Sequence, residues 1–356
     1  EDQVKQLNLF VVGVGNVGGK LLKQLNDQKD YLLNKLHIQI RVIGMCNSRK
    51  MAFSEDGIDL SNWENVLGNG IPCSMDKFHE KVTELNCRNS VFVDNTANES
   101  IANLYGDYLK ESVAVVTCNK IACSSGYESY VRLKDLAREY NAPFLFETNV
   151  GAGLPIIDTL KNLVASGDRI QKIQAILSGS LNFIFNNFSS SNSFHSVVIQ
   201  AGKEGFTEPD PRIDLSGVDV MRKILILARE SGYKIELESI YNNSFLPKSC
   251  VNAADVPDFF EQLIEEEAHF IKLLNAAENN GCRLKYVAEF EHGKAKVGLN
   301  EISKDHPFYN LDGKDNIVLF FTDRYKDQPL IIKGAGAGAD VTASGLFSDI
   351  IRIGNI

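Results

Sequence analysis

Through the first 150 positions, short β-branched apolar runs alternate with stretches whose apolar residues recur at helical spacing. Leu9-Phe10-Val11-Val12 is the first such run; residues 13–19 are rich in glycine, and Leu21, Leu22 and Leu25 then share one helical face. A second strand at 38–44 follows at the distance a strand–helix–strand unit needs. Further runs at 91–94, 113–117 and 143–146 are interleaved with helical patterns such as 130–140. This alternation predicts an α/β architecture, a doubly wound parallel sheet of the Rossmann type.

Beyond about residue 150 the texture changes. Gly151-Ala152-Gly153-Leu154-Pro155 punctuates, and strand-like runs appear at 170–177, 284–291, 295–299, 317–322 and 330–332. Between them the spacing predicts helices at 156–165, 218–230 and 259–279. Mixed strands with helices on one side predict an α+β domain that takes the substrate. The glycine–alanine stretch at 334–343 leads into a terminal helix at 344–353, expected to return to the first domain. The expected organisation is therefore residues 1–150 with 335–356 as a nucleotide-binding domain and 151–334 as a substrate domain.

At 356 residues the chain suits roughly two domains of about 150 residues each. Its net charge of −9 argues against a nucleic-acid or anionic-membrane surface, which needs clustered Lys and Arg. No apolar run reaches the about 18 residues of a membrane span, and the polar start Glu1-Asp2-Gln3-Val4-Lys5-Gln6 is not a signal peptide. The chain opens on Glu rather than Met, so a piece of a longer polypeptide is expected. Its seven cysteines are odd in number, scattered and free of any CxxC, which makes reduced thiols in a cytoplasmic protein the expectation.

The pattern Gly13, Gly15, Gly18 is GxGxxG in an informative place, after an apolar strand and at the mouth of a helix. A dinucleotide demands a tight turn, close approach of backbone to pyrophosphate, and N–H groups at a helix N-terminus facing the anion. The alternative is a bare strand–helix turn. At the end of the second strand, NAD-specific sites carry an acid for the ribose hydroxyls; this chain has Asn47-Ser48-Arg49-Lys50. Neutral and basic residues there tolerate a 2′-phosphate, so Arg49 and Lys50 favour NADP(H), with NAD(H) as the second choice. Their ordinary reading is a solvated loop.

Asp94-Asn95-Thr96-Ala97 and Thr117-Cys118-Asn119-Lys120 each close a strand, where ligands of such sheets bind, so Thr96 and Lys120 are expected in the cleft. Lys120 could hold a cofactor phosphate or act near a reacting carbonyl; a surface lysine at a strand end is also common. Cys118 and Cys123 raise a rival, a thioester-forming nucleophile, but neither is flanked by a histidine to activate it.

Residues 208–223 pack four carboxylates and three cations into sixteen positions and run straight into the apolar series 224–228. Asp219 and Lys223 lie four apart, on one helical face. As a surface ion pair they would contribute only about 0.3–0.5 kcal/mol. Val220, Ile224 and Leu227 form a neighbouring stripe, which moves the pair to the core boundary. There a lysine can serve as proton donor, since desolvation lowers its pKa, while a nearby carboxylate opposes that shift and orients the ammonium. Glu208 and Asp214 would then bind a substrate ammonium.

With these residues in view, the chain resembles the homoserine dehydrogenase family, most closely the C-terminal half of the bifunctional aspartokinase–homoserine dehydrogenases. The resemblance covers almost the whole chain and rests on GVGNVGG at 13–19, TNVGAGLP at 148–155, LSGSLNFIF at 177–185, EPDPRIDLSGVDVMRK at 208–223 and GAGAGADVTASG at 334–345. It implies NAD(P)H-dependent reduction of L-aspartate 4-semialdehyde to L-homoserine, on the route to threonine and methionine. It implies that Gly13, Gly15, Asn16, Val17 and Gly18 contact the cofactor, that Thr96, Ala97 and Lys120 lie near the nicotinamide, and that Gly338 closes the site. Glu208 would bind the substrate amino group, with Asp214 and Asp219 supporting it. Lys223 would be the proton donor, with Lys120 as co-candidate. Glu147 and the backbone at Val150, Ala152 and Leu154 would form a monovalent-cation site for sodium; one carboxylate with carbonyl oxygens suits a hard ion of single charge.

The resemblance also implies a homodimer formed through the second domain and a covalent fusion to an aspartokinase. Two departures stand out: Cys118 where relatives often carry Pro, and Asp340 where single-domain relatives often carry a neutral residue. The alternative from another class is a catalytically idle NADP(H)-binding sensor or scaffold. Such a chain has no need of Lys223, Asp219, Glu208 and Lys120 together.

Overall fold

The computed structural model describes residues 3–356; Glu1 and Asp2, the first of the polar start, lie outside the described residues. The chain divides into two compact units, one running to Pro155 and completed by Ala337–Ile356, the other spanning Ile156–Gly336.

The first unit is built on seven strands: β1 (Lys5–Val12), β2 (Ile38–Cys46), β3 (Lys50–Phe53), β4 (Ile71–Pro72), β5 (Ser90–Asp94), β6 (Ala114–Thr117) and β7 (Phe144–Leu145). Their order is β4-β3-β2-β1-β5-β6-β7, with β2, β1, β5, β6 and β7 mutually parallel. Helices α1 (Asn16–Leu36), α2 (Trp63–Gly68), α3 (Met75–Leu85), α4 (Glu99–Ala102), α5 (Tyr105–Lys110) and α6 (Tyr127–Glu139) lie in the connections. The parallel core is the predicted Rossmann-type sheet. Its edge was not: β3 turns back on β2, and β4 on β3, both antiparallel. Neither run is long enough to show a period-two pattern, and the two residues of β4 are both exposed.

Leu7, Leu9 and Val11 of β1 pack with Leu21, Leu22 and Leu25 of α1 in one core cluster. Leu346 and Ile350 of the closing helix, Ala339–Gly354, belong to the same cluster, so this helix returns to the first unit as its pattern implied. Phe10, Phe78, Phe92 and Tyr108 are buried too, the last two stacked with centroids 4.0 Å apart.

The second unit holds α7 (Ile156–Ala165), β8 (Ile170–Ile176), α8 (Gly179–Asn187), α9 (Phe194–Lys203), α10 (Pro211–Leu215), α11 (Val218–Glu230), β9 (Tyr241–Asn243), α12 (Lys248–Val251), α13 (Val256–Glu265), α14 (Glu267–Asn279), β10 (Arg283–Glu291), β11 (Lys294–Ile302), β12 (Asp315–Thr322) and β13 (Leu330–Ala335). The strands make a mixed six-stranded sheet in the order β13-β12-β8-β10-β11-β9. Only β9 and β11 pair in parallel. The single helix expected over 259–279 is two helices broken at Glu266, whose φ of −97° and ψ of 14° leave the α region. Glu266 accepts a hydrogen bond from Ser249 Oγ at 2.9 Å, and the carboxylate of Glu267 accepts from the Phe194 amide at 3.3 Å. The break lets Phe259 and Leu263 on one side, and Phe270 on the other, all stay buried.

One cation of this unit lies deep inside it. Lys285 of β10 is 1% exposed, and its Nζ donates to Asn182 Oδ1 (3.2 Å), Asn186 Oδ1 (2.5 Å) and the Leu311 carbonyl (2.6 Å). Burial, the largest influence, lowers its pKa to about 8 from 10.5. Between those values the unfolded chain holds the proton and the folded chain releases it, so this group adds stability as pH rises through that window. We expect thermal stability of the native protein to gain on Lys285→Met as pH is raised from 8 to 10.5, read by Tm at stepped pH. A constant difference in Tm between the two proteins would contradict this.

Candidate active site

In the first unit the glycine turn follows directly from β1. Gly13 has φ +93° and donates its amide to the Cys46 carbonyl at the end of β2, at 3.0 Å. A Cβ on Gly18 would run into the Gly13 carbonyl oxygen, so the first turn of α1 can lie this close to the strand end only with glycine at that position. Gly15 stands at the N-cap of α1, with open space where a Cβ would be. Having no side chain, it leaves the first-turn amides uncovered, which suits a pyrophosphate.

Beside the turn lies a pocket of about 600 Å³ whose lining includes Gly15, Asn16, Gly19, Lys20, Lys23 and Trp63. Arg49 and Lys50 do not line it. They sit on the β2–β3 hairpin, where Asn47 Oδ1 accepts both of their amides at 2.8 and 2.7 Å. Lys50 Nζ reaches the Gly70 carbonyl at 3.4 Å, while Arg49 is exposed. Val17 is partly buried against the core, and Asn16 is exposed at the pocket wall. Lys20 and Lys23 of α1 are cations at this pocket that the motif alone did not single out.

Thr96, Ala97 and Lys120 follow the neighbouring strands β5 and β6, which end in register at Asp94 and Thr117. The Thr96 methyl abuts Gly13, lying 3.1 Å from where a Cβ would stand. Thr96 and Lys120 are partly exposed and Ala97 is exposed. Burial pushes the Cys118 thiol up to about 11, and Cys123 is wholly buried. Burial of this kind disfavours the thiolate that a thioester-forming nucleophile needs. Gly338, at φ +124°, is the N-cap of the closing helix, and Asp340 is an exposed residue of its first turn, 3.8 Å from Lys20.

Glu147 opens a 3₁₀ turn over Glu147–Asn149 and is 5% exposed. Its amide donates to Asp349 Oδ2 of the closing helix at 3.1 Å. Val150 is buried, and Gly151 (φ +76°) and Ala152 (φ +52°) are both left-handed, which bends the chain back so that Leu154 N donates to the Gly151 carbonyl at 2.9 Å. Two glycines seat this loop on the closing helix: a Cβ on Gly345 would strike the Thr148 methyl, and one on Gly153 the Val341 carbonyl at 2.5 Å. Asn149, 1% exposed, has neither carboxamide atom hydrogen-bonded. A buried carboxylate, irregular backbone and an unpartnered carboxamide fit a hard cation of low charge. Asn149 was not singled out by the sequence.

In the second unit, residues 208–223 are not one helix mouth but two short pieces. Gly217, at φ +79°, separates α10 from α11, and a Cβ there would collide with the Tyr286 hydroxyl. Ahead of α10 the chain folds back on that helix, and Asp214 Oδ2 accepts the Glu208 amide at 2.9 Å. Ser180 Oγ donates to the other oxygen of Asp214 at 3.4 Å, and burial raises this half-buried carboxyl's pKa. The Glu208 side chain is exposed. Arg212 is taken up by Asp210, with Nε and Nη2 at 2.9 and 2.8 Å from its carboxylate, and that guanidinium holds the Asp210 pKa down.

Lys223 and Asp219 meet as the helical spacing predicted, with Nζ 2.7 Å from Asp219 Oδ2. The Lys223 side chain is only 13% exposed, against 46% for Asp219. Nζ also donates to the Leu177 carbonyl at 2.9 Å, and Asn316 Nδ2 donates to the same oxygen at 3.4 Å. The ammonium is thus fixed from two sides. Leu177, Ser180 and Asn316 were not picked out as individual site residues; LSGSLNFIF at 177–185 was the only signal for the first two, Asn316 had none, and a backbone acceptor leaves no mark on residue identity.

The homoserine dehydrogenase family model matches residues 155–351, and the model for the homoserine dehydrogenase NAD binding domain matches residues 13–147. The chain belongs to the homoserine dehydrogenase family. That is a family of NAD(P)-dependent oxidoreductases. Over 351 residues the chain is 45% identical to "Bifunctional aspartokinase/homoserine dehydrogenase 2, chloroplastic" of Arabidopsis thaliana, covering 98% of this chain and 38% of that protein. Over 358 residues it is 36% identical to the homoserine dehydrogenase of Schizosaccharomyces pombe, covering 98% and 95% respectively. A hyperthermophilic archaeal homoserine dehydrogenase solved in complex with NADPH shares 26% identity and a TM-score of 0.76 over 98% of each chain. The chain spans less than two fifths of the plant homoserine dehydrogenase relative's length. No helix among the described residues is long and apolar enough to cross a membrane.

Proposed function

We propose that this chain reduces L-aspartate 4-semialdehyde to L-homoserine with NADPH, NADH being the poorer cofactor, in the biosynthesis of threonine, methionine and isoleucine. The observation that carries the reading is Lys223, a nearly buried ammonium fixed between the Asp219 carboxylate and the Leu177 carbonyl. An ammonium so placed has direction as well as charge, which general-acid work requires.

The first unit serves as the NAD(P)-binding domain and the second as the catalytic and dimerisation domain. Gly13, Gly15, Asn16, Val17 and Gly18 take the pyrophosphate, Arg49 and Lys50 the 2′-phosphate, and Thr96, Ala97, Lys120 and Gly338 the nicotinamide end. NADPH, when bound, supplies the hydride. Glu208 accepts the substrate's α-ammonium, and Asp214, held by Ser180, keeps the Glu208 backbone in place. Asp219 orients Lys223, whose Nζ carries the proton for the carbonyl oxygen; Lys120 is the second choice for that proton. Glu147 with the carbonyls of Val150, Ala152 and Leu154 holds a monovalent cation, sodium by its hardness, and so stiffens the loop against the closing helix. The bifunctional relatives support a fusion to an aspartokinase, and the protein works as a cytoplasmic homodimer.

The test is consumption of NADPH and of NADH, measured side by side, with L-aspartate 4-semialdehyde as acceptor. The reading expects turnover with both and a higher kcat/KM with NADPH. Tight NADPH binding without turnover would favour the sensor or scaffold instead.

A further inference from the structure

The ends of β5 and β6 are tied together by a buried polar cluster that the assigned roles do not use. At its centre is Asp94, the last residue of β5, with no exposed surface. Its Oδ1 accepts the amide of Thr96 at 2.8 Å. Its Oδ2 accepts the Tyr105 hydroxyl at 2.5 Å and Asn119 Nδ2 at 3.0 Å. The Asp94 carbonyl accepts Thr117 Oγ1 at 3.0 Å and the Cys118 amide at 3.2 Å.

Asn119 extends the connection. Its Nδ2 also donates to the Asn98 carbonyl at 3.0 Å, its Oδ1 accepts the Ile121 amide at 3.2 Å, and its own amide donates to Thr117 Oγ1 at 2.8 Å. Residues 94–98 and 117–121 are therefore laced across the gap between two strand ends, and Thr96 and Lys120 sit on the lacing. Tyr105, Thr117 and Asn119 are all at most 2% exposed. Three donors, none of them a cation, meet one carboxylate in a site closed to water. Burial pushes the Asp94 carboxyl up, and the hydrogen bonds oppose that shift. A buried carboxylate costs stability unless its geometry is good, so its presence here calls for a reason.

We infer that Asp94 is a positioning residue: it locks the Thr96 turn and the Lys120 loop in fixed register at the strand ends, and through them sets where the nicotinamide ring is held. This rests on the proposed placing of the nicotinamide at Thr96, Ala97 and Lys120. Asn at position 94 keeps the size but not the acceptors. If its oxygen stays on the Thr96 amide, its NH₂ faces the NH₂ of Asn119, and the side-chain bond to the Lys120 loop is lost. If the amide is turned round, the Thr96 bond is lost instead. Tyr105→Phe removes one donor and leaves both loop bonds, so it is the graded control.

The experiment measures binding of NADPH and of 2′-phospho-ADP-ribose, the same cofactor without its nicotinamide, to the native protein, Asp94→Asn and Tyr105→Phe. A lock at the nicotinamide end predicts that Asp94→Asn loses about tenfold in NADPH affinity, equivalent to about 1.4 kcal/mol, while the fragment changes less than about twofold. Tyr105→Phe should lose less than about threefold for either ligand. Where turnover is measurable, the deuterium isotope effect on kcat with NADPH deuterated at C4 should rise in Asp94→Asn, since a misplaced ring slows hydride transfer itself.

Equal losses for both ligands, or none for either, would overturn the inference, because a general loosening does not distinguish the ring from the rest of the cofactor. Should Asp94→Asn fail to fold, Asn119→Ala removes the same bond from the other side and carries the same expectation. The binding arm decides the matter even if aspartate semialdehyde proves not to be the substrate.

Discussion

Lys223→Ala is expected to lower kcat by about 10²-fold or more, the order that general acid catalysis contributes, with NADPH affinity nearly unchanged. Nζ lies between a carboxylate and a backbone carbonyl, at 2.7 and 2.9 Å, on a side chain that is nearly buried. Alanine removes the donor while Asp219, nearly half exposed, can be resolvated, so folding should suffer by no more than about 1 kcal/mol. Lys223→Arg should not rescue turnover, because a guanidinium does not give up its proton at working pH. Steady-state kinetics with both variants, alongside NADPH titration, check this. Normal turnover by Lys223→Ala would move the proton to Lys120.

The second large effect concerns the glycine turn, where two glycines should fail in different ways. Gly18→Ala places a Cβ on the Gly13 carbonyl oxygen, and that contact can be relieved only by moving α1 away from the end of β1. Overpacking of this kind costs about 1–3 kcal/mol, and the shift spoils the amide array, so NADPH affinity should fall by about 10²-fold, equivalent to about 2.8 kcal/mol. Gly15→Ala meets nothing within 4 Å, so the protein should keep its stability. It should lose NADPH affinity all the same, because the methyl group stands where a pyrophosphate would approach the backbone. Melting temperatures and NADPH titrations of the two variants separate these outcomes. A Gly15→Ala protein that binds NADPH normally would place the pyrophosphate elsewhere.

Much of the fold could be read from the chain because its periods are clean. The helices α7 and α11 run over Ile156–Ala165 and Val218–Glu230, the spans their apolar spacing marked. The i,i+4 pair of Asp219 and Lys223 was legible because helix geometry alone decides it. What could not be read depends on contacts between distant segments. The β3–β4 edge is too short to show a pattern, and at the helix break Glu266 accepts from Ser249 and Glu267 from the Phe194 amide, partners distant in sequence. Lys285 occupies an inward position of β10 and would ordinarily be taken for a surface lysine; its partners come from α8 and residue 311. The same holds at the site. Leu177 acts through its carbonyl, Asn316 through a strand remote from Lys223, and Asp94 through Asn119, 25 positions away.

If the chain acts as proposed, a hydride passes from NADPH to the aldehyde carbon of aspartate semialdehyde. The most direct measurement is the mass of the homoserine formed when the cofactor carries deuterium on one or the other face of C4. The expected result is homoserine heavier by one deuterium from one labelled face, and unlabelled homoserine from the other. Homoserine free of label with both cofactors, or no homoserine while NADPH binds tightly, would contradict it.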